Sequence, residues 1–247
     1  MANYDFDNMD LIVNASARVP LCICVDTSFS MTHKDGDEVN RFDELVDGIK
    51  ELMRTIEEDE AASSSVEVAV VGFNKDVKVL HDFATFDNFD VSKVKAKLTG
   101  ASDLGLGVLR SLELLEERKQ LYKENHVEYY RPWLLIMTDG QPWGDQALEN
   151  LKKAQEKVRK MEKESKITVL CILCGGDKDV TNLEEVKDQA AIACLQGFTD
   201  NPVQNFSGAG YRSLFRWLSR SMSASLDFKD GPMNLDIPKD TVDWTDW

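Results

Sequence analysis

The stretch "VPLCICVDTSFSM" (19–31) decides how the rest of the chain is read. An almost unbroken apolar run, 19–25, ends in Asp26, and hydroxyls follow at Ser28 and Ser30. A strand without polar alternation is one covered on both faces, as in a parallel sheet between layers of helices. Three further runs share this character: "VEVAVVGF" (66–73), "WLLIMT" (133–138) and "ITVLCIL" (167–173). A fifth, "DVKVLHDF" (76–83), alternates and follows "GFNK" closely. That pattern predicts the returning strand of a hairpin at a sheet edge.

Helical patterns fill the gaps. From Arg41 to Glu57, Phe42, Leu45, Ile49, Leu52 and Ile56 fall on one face. Comparable stripes run over 103–122 and 145–163, and further helices are expected at 182–195 and 210–225. Strands alternating with helices of this length predict an α/β fold. The expected form is a doubly wound, mostly parallel central sheet with one antiparallel edge strand and helices on both faces, a Rossmann-like layout. Its parts are an N-terminal arm (1–18), one domain (19–226) and a tail (227–247) carrying six acids and two basic residues. That tail reads as extended, with Trp244 and Trp247 suited to docking on another surface.

Bulk composition narrows the function. The chain has 247 residues, with 29 basic against 44 acidic, a net charge of −15. No basic block exists to hold nucleic acid or an anionic membrane surface. The N-terminus lacks the basic and apolar regions of a signal peptide, and no apolar run reaches the roughly 18 residues of a membrane span. Cys22, Cys24, Cys171, Cys174 and Cys194 are odd in number and mostly lie in strand-like runs. They read as free thiols in a reducing cytoplasm. "CILC" (171–174) lies within a strand, so its two thiols face opposite ways and suit neither redox nor zinc chemistry.

In open α/β sheets ligands bind outside the carboxyl ends of the strands, so the residues just after each strand carry the functional reading. After the first strand, Asp26, Ser28 and Ser30 can be directed to one side of the loop. They offer a carboxylate and two hydroxyl oxygens, acceptable ligands for a hard cation. Asp139, in "TDGQPWGD", stands at the equivalent edge of the fourth strand. If the two strands are neighbours, the acids converge. Two carboxylates ~4 Å apart repel by roughly 4 kcal/mol at an effective dielectric of ~20. A divalent cation or protonation of one acid would offset this. A third loop, "TGASDLG" (99–105), brings Ser102 to the mouth of a helix, where, taken alone, it reads as an N-cap before it reads as a ligand.

These residues carry a resemblance. "DTSFS" (26–30) fits the D-x-S-x-S pattern of von Willebrand factor type A (vWA) domains. "GAS" (100–102) falls at the family's second loop, and "MTDGQP" (137–142) resembles its third. The likeness runs from about Val19 to Leu226. It implies a metal-ion-dependent adhesion site formed by Asp26, Ser28, Ser30, Ser102 and Asp139. Two positions depart from the family pattern: Phe29 stands where Gly is usual, and Ser102 where Thr is usual. A bulky Phe29 ring on the rim would shape a partner's approach. "RVPLCICVDTSFSM", "YYRPWLLIMTDGQP" and "SLFRWLSRSMSA" further resemble TerY-type tellurite-resistance proteins. That resemblance implies a bacterial, intracellular stress-response protein acting with a protein kinase and a protein phosphatase.

Few protein ligands favour Mg²⁺, which keeps several waters, with Mn²⁺ or Ca²⁺ as alternatives. The expected function is therefore non-enzymatic: a cation whose vacant position accepts a partner protein's carboxylate. Two alternatives stand beside it. One is a scaffold with a vestigial metal loop. The other is a Mg²⁺-dependent phosphatase of haloacid-dehalogenase type, which also opens on an Asp after the first strand. That chemistry wants a second acid where Ser28 stands, and the late acids of "GGDKD" (175–179) lack the usual spacing, since Thr181 stands four residues after Asp177. "GLG" (105–107) lies inside a helical pattern, which argues against a nucleotide loop. His33, His81 and His126 are scattered and build no hydrolase triad.

Overall fold

The computed structural model describes residues 16–34, 39–142, 144–175, 189–206 and 210–225. The arm through residue 15, the acids of "GGDKD", residues 182–188 of the expected fourth helix, and the tail with Trp244 and Trp247 lie outside these residues.

The opening apolar run becomes β1 (Val19–Asp26), which includes the aspartate itself. In chain order there follow a short 3-10 turn (Phe29–Thr32), α1 (Arg41–Glu58), α2 (Glu60–Ser65), β2 (Val66–Phe73), β3 (Val77–Ala84), α3 (Leu104–Glu124), β4 (Trp133–Thr138), α4 (Asp145–Lys163), β5 (Thr168–Cys174), α5 (Gln189–Gln196), β6 (Gln204–Phe206) and α6 (Gly210–Ser225). The strands form one sheet in the order β3-β2-β1-β4-β5-β6. Only β2 and β3 pair antiparallel, so the expected hairpin lies at one edge. The sequence reading did not include α2 or β6. Each is short, and "QNF" carries no apolar pattern.

Every residue of β1, β2, β4 and β5 is buried. Alternate side chains feed two separate cores. Leu21, Ile23, Val68, Val70, Leu135 and Ile172 pack under α1 and α6. Cys22, Cys24, Val71, Ile136 and Leu173 pack under α3, α4 and α5. Cys171 falls in the second core and Cys174 in the first, on opposite faces as strand geometry requires. Burial pushes the Cys22 thiol up to about 12, which keeps it protonated and inert.

The "GLG" motif has a packing role. A Cβ on Gly105 would stand 2.2 Å from the backbone of Asn150 and Leu151, so α3 touches α4 at this point. In an exposed helix Gly→Ala would gain about 1 kcal/mol. Here Gly105→Ala should instead cost about 1–3 kcal/mol, because two helix backbones must part. Thermal melting of the variant checks the sign, and a midpoint at or above the unsubstituted protein's would refute the close approach.

β1 is flanked by β2 on one side and β4 on the other, so the chain's direction of winding reverses between β1 and β4. This is the topological switch point, where a crevice opens at the carboxyl ends of the strands. The parallel register pairs Val25 with Met137, which sets Asp26 beside Thr138 and brings Asp139 over the same crevice.

Candidate metal centre

Three loops converge at that crevice. Asp26 is fully buried at the end of β1. Its Oδ1 accepts the backbone N–H of Ser28 at 2.8 Å. Its Oδ2 accepts from Ser102 Oγ at 2.9 Å and from Thr138 Oγ1 at 2.6 Å. Ser30 Oγ donates to Asp139 Oδ1 at 2.7 Å, and the Ser28 and Ser30 hydroxyls lie 3.0 Å apart. Since Ser30 spends its one proton on Asp139, Ser28 is the donor in that contact. All five residues singled out from the sequence therefore meet in one hydrogen-bonded network.

Backbone bonds hold the loops in place. Thr27 N–H donates to Phe73 O at 2.6 Å, Thr99 N–H to Thr27 O at 3.1 Å, and Phe29 N–H to Gly100 O at 3.2 Å. Ser102 does not cap α3. Asp103 does, accepting from Leu106 N–H at 2.9 Å, while its other oxygen takes a bond from Asn150 Nδ2 at 2.8 Å. The cap sits one residue later than the capping reading of Ser102 had it, and the Ser102 hydroxyl is freed to face Asp26. Phe29 is 64% exposed on the rim.

Two participants went unread in the sequence. Thr138 is the last residue of β4, and a hydroxyl closing an apolar strand was its only signal. Arg41 is the first residue of α1, where a positive charge opposes the helix dipole. Its guanidinium donates to Asp139 Oδ2 at 2.9 Å and to Gly175 O at 3.1 Å. Gly175 has φ +78°, and a Cβ there would stand 2.0 Å from Arg41 Nε. The glycine supplies both the left-handed turn and the room for the arginine. A basic side chain thus joins a divalent cation and protonation as a way to offset the paired acids, a third device that the sequence reading lacked.

The electrostatics follow from burial. Loss of solvent, then the negative Asp139 nearby, raises the Asp26 carboxyl above its ordinary value, against the hydrogen bonds from Ser28 and Thr138. A carboxyl raised on folding favours the folded state in its protonated form. That contribution is complete below the ordinary value of ~3.9 and is lost as pH rises through the raised one. Near neutral pH an ionised Asp26 is a cost that a cation would relieve.

The donor set fits a small hard cation. The donors are all oxygens, the type a hard cation takes, and hydrogen bonds hold them close together. The contacts Ser28–Ser30, Ser30–Asp139 and Ser102–Asp26 measure 3.0, 2.7 and 2.9 Å. Among the described residues no group of three or more His, Cys, Asp or Glu gathers anywhere. A cation here would rest on two carboxylates and hydroxyls.

Comparison with known proteins accords with this architecture. Three solved structures illustrate the likeness. The PilB minor pilin from Streptococcus sanguinis has a TM-score of 0.63 at 13% identity, over 89% of this chain and 64% of that one. The pilus adhesin SpaC from Lactobacillus rhamnosus GG gives 0.58 at 12%, over 85% and 31%. The SpRpn10 VWA domain gives 0.53 at 14%, over 82% and 95%. This chain therefore spans less than two thirds of the length of the two pilus proteins, and at these identities the likeness is one of fold. No curated protein matches the sequence. Among the described residues no helix is long and apolar enough to cross a membrane. The sequence profile of the von Willebrand factor type A domain matches residues 21–204, which takes in the loops after β1 and β4 and the sheet that brings them together; the chain belongs to that family.

Proposed function

We propose that this chain is a non-enzymatic protein-interaction module that works through a divalent cation. Asp26, Ser28, Ser30, Ser102 and Asp139 hold the ion, Mg²⁺ by preference, with Mn²⁺ or Ca²⁺ as alternatives. The carrying observation is the convergence of two carboxylates and three hydroxyls from three separate loops at the carboxyl end of the sheet. Two carboxylates, one of them shared with Arg41, leave the ion poorly neutralised, and its vacant position then attracts a carboxylate from a protein partner. The TerY-type resemblance supports, within this proposal, a role in a bacterial stress or tellurite-resistance system in the cytoplasm, with a protein kinase and a protein phosphatase as associated proteins. One observation favours a second reading. Arg41 on Asp139 already supplies a positive charge, which suits a scaffold that needs no metal.

Mg²⁺ titration with thermal melting tests the first reading. A ligand bound only by the folded state at ~100 times its Kd adds about 2.7 kcal/mol, a midpoint shift of about 5–10 °C for a domain of this size. Asp26→Asn should abolish that shift. Equal Mg²⁺ shifts in both proteins, or none in either, would overturn the metal role.

A further inference from the structure

Beside the metal loops, on the hairpin side, lies a groove of about 270 Å³ between the β2–β3 turn and the stretch 95–99. Its volume is below that of pockets for drug-sized ligands, so it suits side chains rather than a whole cofactor. Leu80 and Ala96 contribute apolar surface, and Lys75, Lys78, Lys95 and Lys97 surround it. Four lysines at one groove are unusual in a chain of net charge −15. Elsewhere on this surface some lysines sit against acids, as in Lys50–Asp47, Lys119–Glu116, Lys153–Glu149 and Lys166–Glu164, and others, such as Lys123, Lys152 and Lys157, stand singly rather than around one groove. Here Lys75 lies 3.9 Å from Asp76, both largely exposed, a contact of little weight. Among the described residues, Lys78, Lys95 and Lys97 are assigned no ion pair at all.

The groove is continuous with the metal rim. Thr27, between two candidate ligands, forms part of its wall and accepts the Thr99 N–H. Phe29 is bonded to Gly100 O, and the Lys75 side chain lies 3.7 Å from where a Gly100 Cβ would stand. The groove's apolar floor and basic rim thus adjoin the loop that carries the exposed Phe29. An apolar centre with a charged rim is the anatomy of a docking site.

We propose that this groove docks an extended acidic segment of a protein partner. One apolar side chain of the segment seats on Leu80 and Ala96, and its carboxylates lie along the four lysines. An extended peptide presents residues i, i+2 and i+4 to one side, so an apolar residue with acids two positions before and after it faces the groove together with them. The proposal deepens the metal-bridged reading and rests on it only where an adjoining acid of the same segment would reach the cation.

The test uses a fluorescein-labelled octapeptide, Glu-Ser-Leu-Ser-Glu-Ser-Leu-Ser, whose glutamates and leucines share one face when extended, with binding followed by anisotropy on the full chain. In EDTA and low salt the unsubstituted protein should bind it, and about 0.5 M salt should weaken binding several-fold, as screening demands. The combined variant Lys75→Glu, Lys78→Glu, Lys95→Glu, Lys97→Glu should bind about tenfold or more weakly. The corresponding lysine-to-glutamine variant, matched to the unsubstituted protein in its melting midpoint, should fall between. Equal binding by all three proteins overturns the proposal. So does equal binding of the same peptide with glutamine for glutamate, or one-for-one displacement by inorganic phosphate, which would make the groove a phosphate site. Repeating the series in Mg²⁺ separates the two readings. If Mg²⁺ tightens binding but the lysines do not matter, the groove fails and the metal role stands. If the lysines matter but Mg²⁺ adds nothing, the metal role fails and the groove stands.

Discussion

Glu67→Ala should cost about 3–5 kcal/mol of folding stability, the expected loss when one partner of a buried charge cluster is removed. Glu67 is fully buried in β2, amid the apolar run that made that strand legible. Its Oε2 and Oε1 take a two-pronged contact from Arg118 Nε and Nη2 at 2.7 and 2.8 Å. The Tyr122 hydroxyl donates to the same Oε2. Arg18 Nε lies 3.6 Å from Oε1, and Arg18 Nη1 donates to Ser64 O at 2.9 Å. One carboxylate therefore serves two guanidiniums and a phenol. Burial, and then the Glu67 charge, raise the Tyr122 phenol well above its ordinary value, so it acts as a neutral donor. Arg118 also lies over the Phe83 ring at 5.8 Å and the Tyr122 ring at 5.4 Å.

Removing Glu67 would take the counter-charge from the buried Arg118 guanidinium, and the desolvation already incurred would go uncompensated. Denaturant unfolding measures the loss. A cost below ~1 kcal/mol would mean that the guanidiniums find water or other partners. Glu67→Gln should fall between, since an amide oxygen still accepts but carries no charge. Combining Glu67→Leu with Arg118→Met should recover much of the loss, because buried ion clusters are often no more stabilising than apolar packing of the same volume. The cluster gathers near the start of β1 and β2, the opposite edge of the sheet from the metal loops, so these variants should leave any Mg²⁺ response of the folded protein intact.

Some of this was open to reading in the sequence and some was not, for physical reasons. Strands β1, β2, β4 and β5 lie within a residue of the apolar runs, because burial on both faces demands unbroken hydrophobicity. Gathering Asp26 and Asp139 required only that β1 and β4 be neighbours, and loops after strands are where such sheets bind ligands. The ion cluster left a fainter trace. Glu67 interrupts an apolar run, and Arg118 and Tyr122 continue the buried stripe Val108, Ser111, Leu115 at helical spacing. Each residue alone reads as a half-exposed position. Only the packing of α3 across β2 makes them partners. The Ser102 and Asp103 assignment turned on a single residue of register, set by a contact to Asp26 that lies 76 positions away in the chain. Arg41 was hidden for a similar reason: its partners are 98 and 134 positions distant.

Arg41→Ala should lower the stability of the metal-free protein by about 3 kcal/mol, toward the lower end of the range for breaking a buried pair. The Asp139 side chain is 1% exposed, that of Arg41 15%, and their contact is 2.9 Å. Without the guanidinium, Asp139 keeps only the Ser30 hydroxyl on Oδ1 among its described contacts and faces Asp26 with no positive charge between them. For a domain of this size the loss corresponds to a midpoint drop of about 6–12 °C. Mg²⁺ then separates the two readings of the site. If the oxygens take a cation, the variant gains more from Mg²⁺ than the unsubstituted protein does, because the ion no longer shares Asp139 with a rival and has a larger charge deficit to fill. The two midpoints should approach one another as Mg²⁺ rises. If the chain is a scaffold in which Arg41 permanently fills the role of the ion, the variant stays destabilised at every Mg²⁺ concentration. Arg41→Lys sharpens the distinction. A lysine is a point charge without the planar fork that reaches Asp139 and Gly175 together, so it should retain part of the apo stability and weaken the tie to the loop after β5.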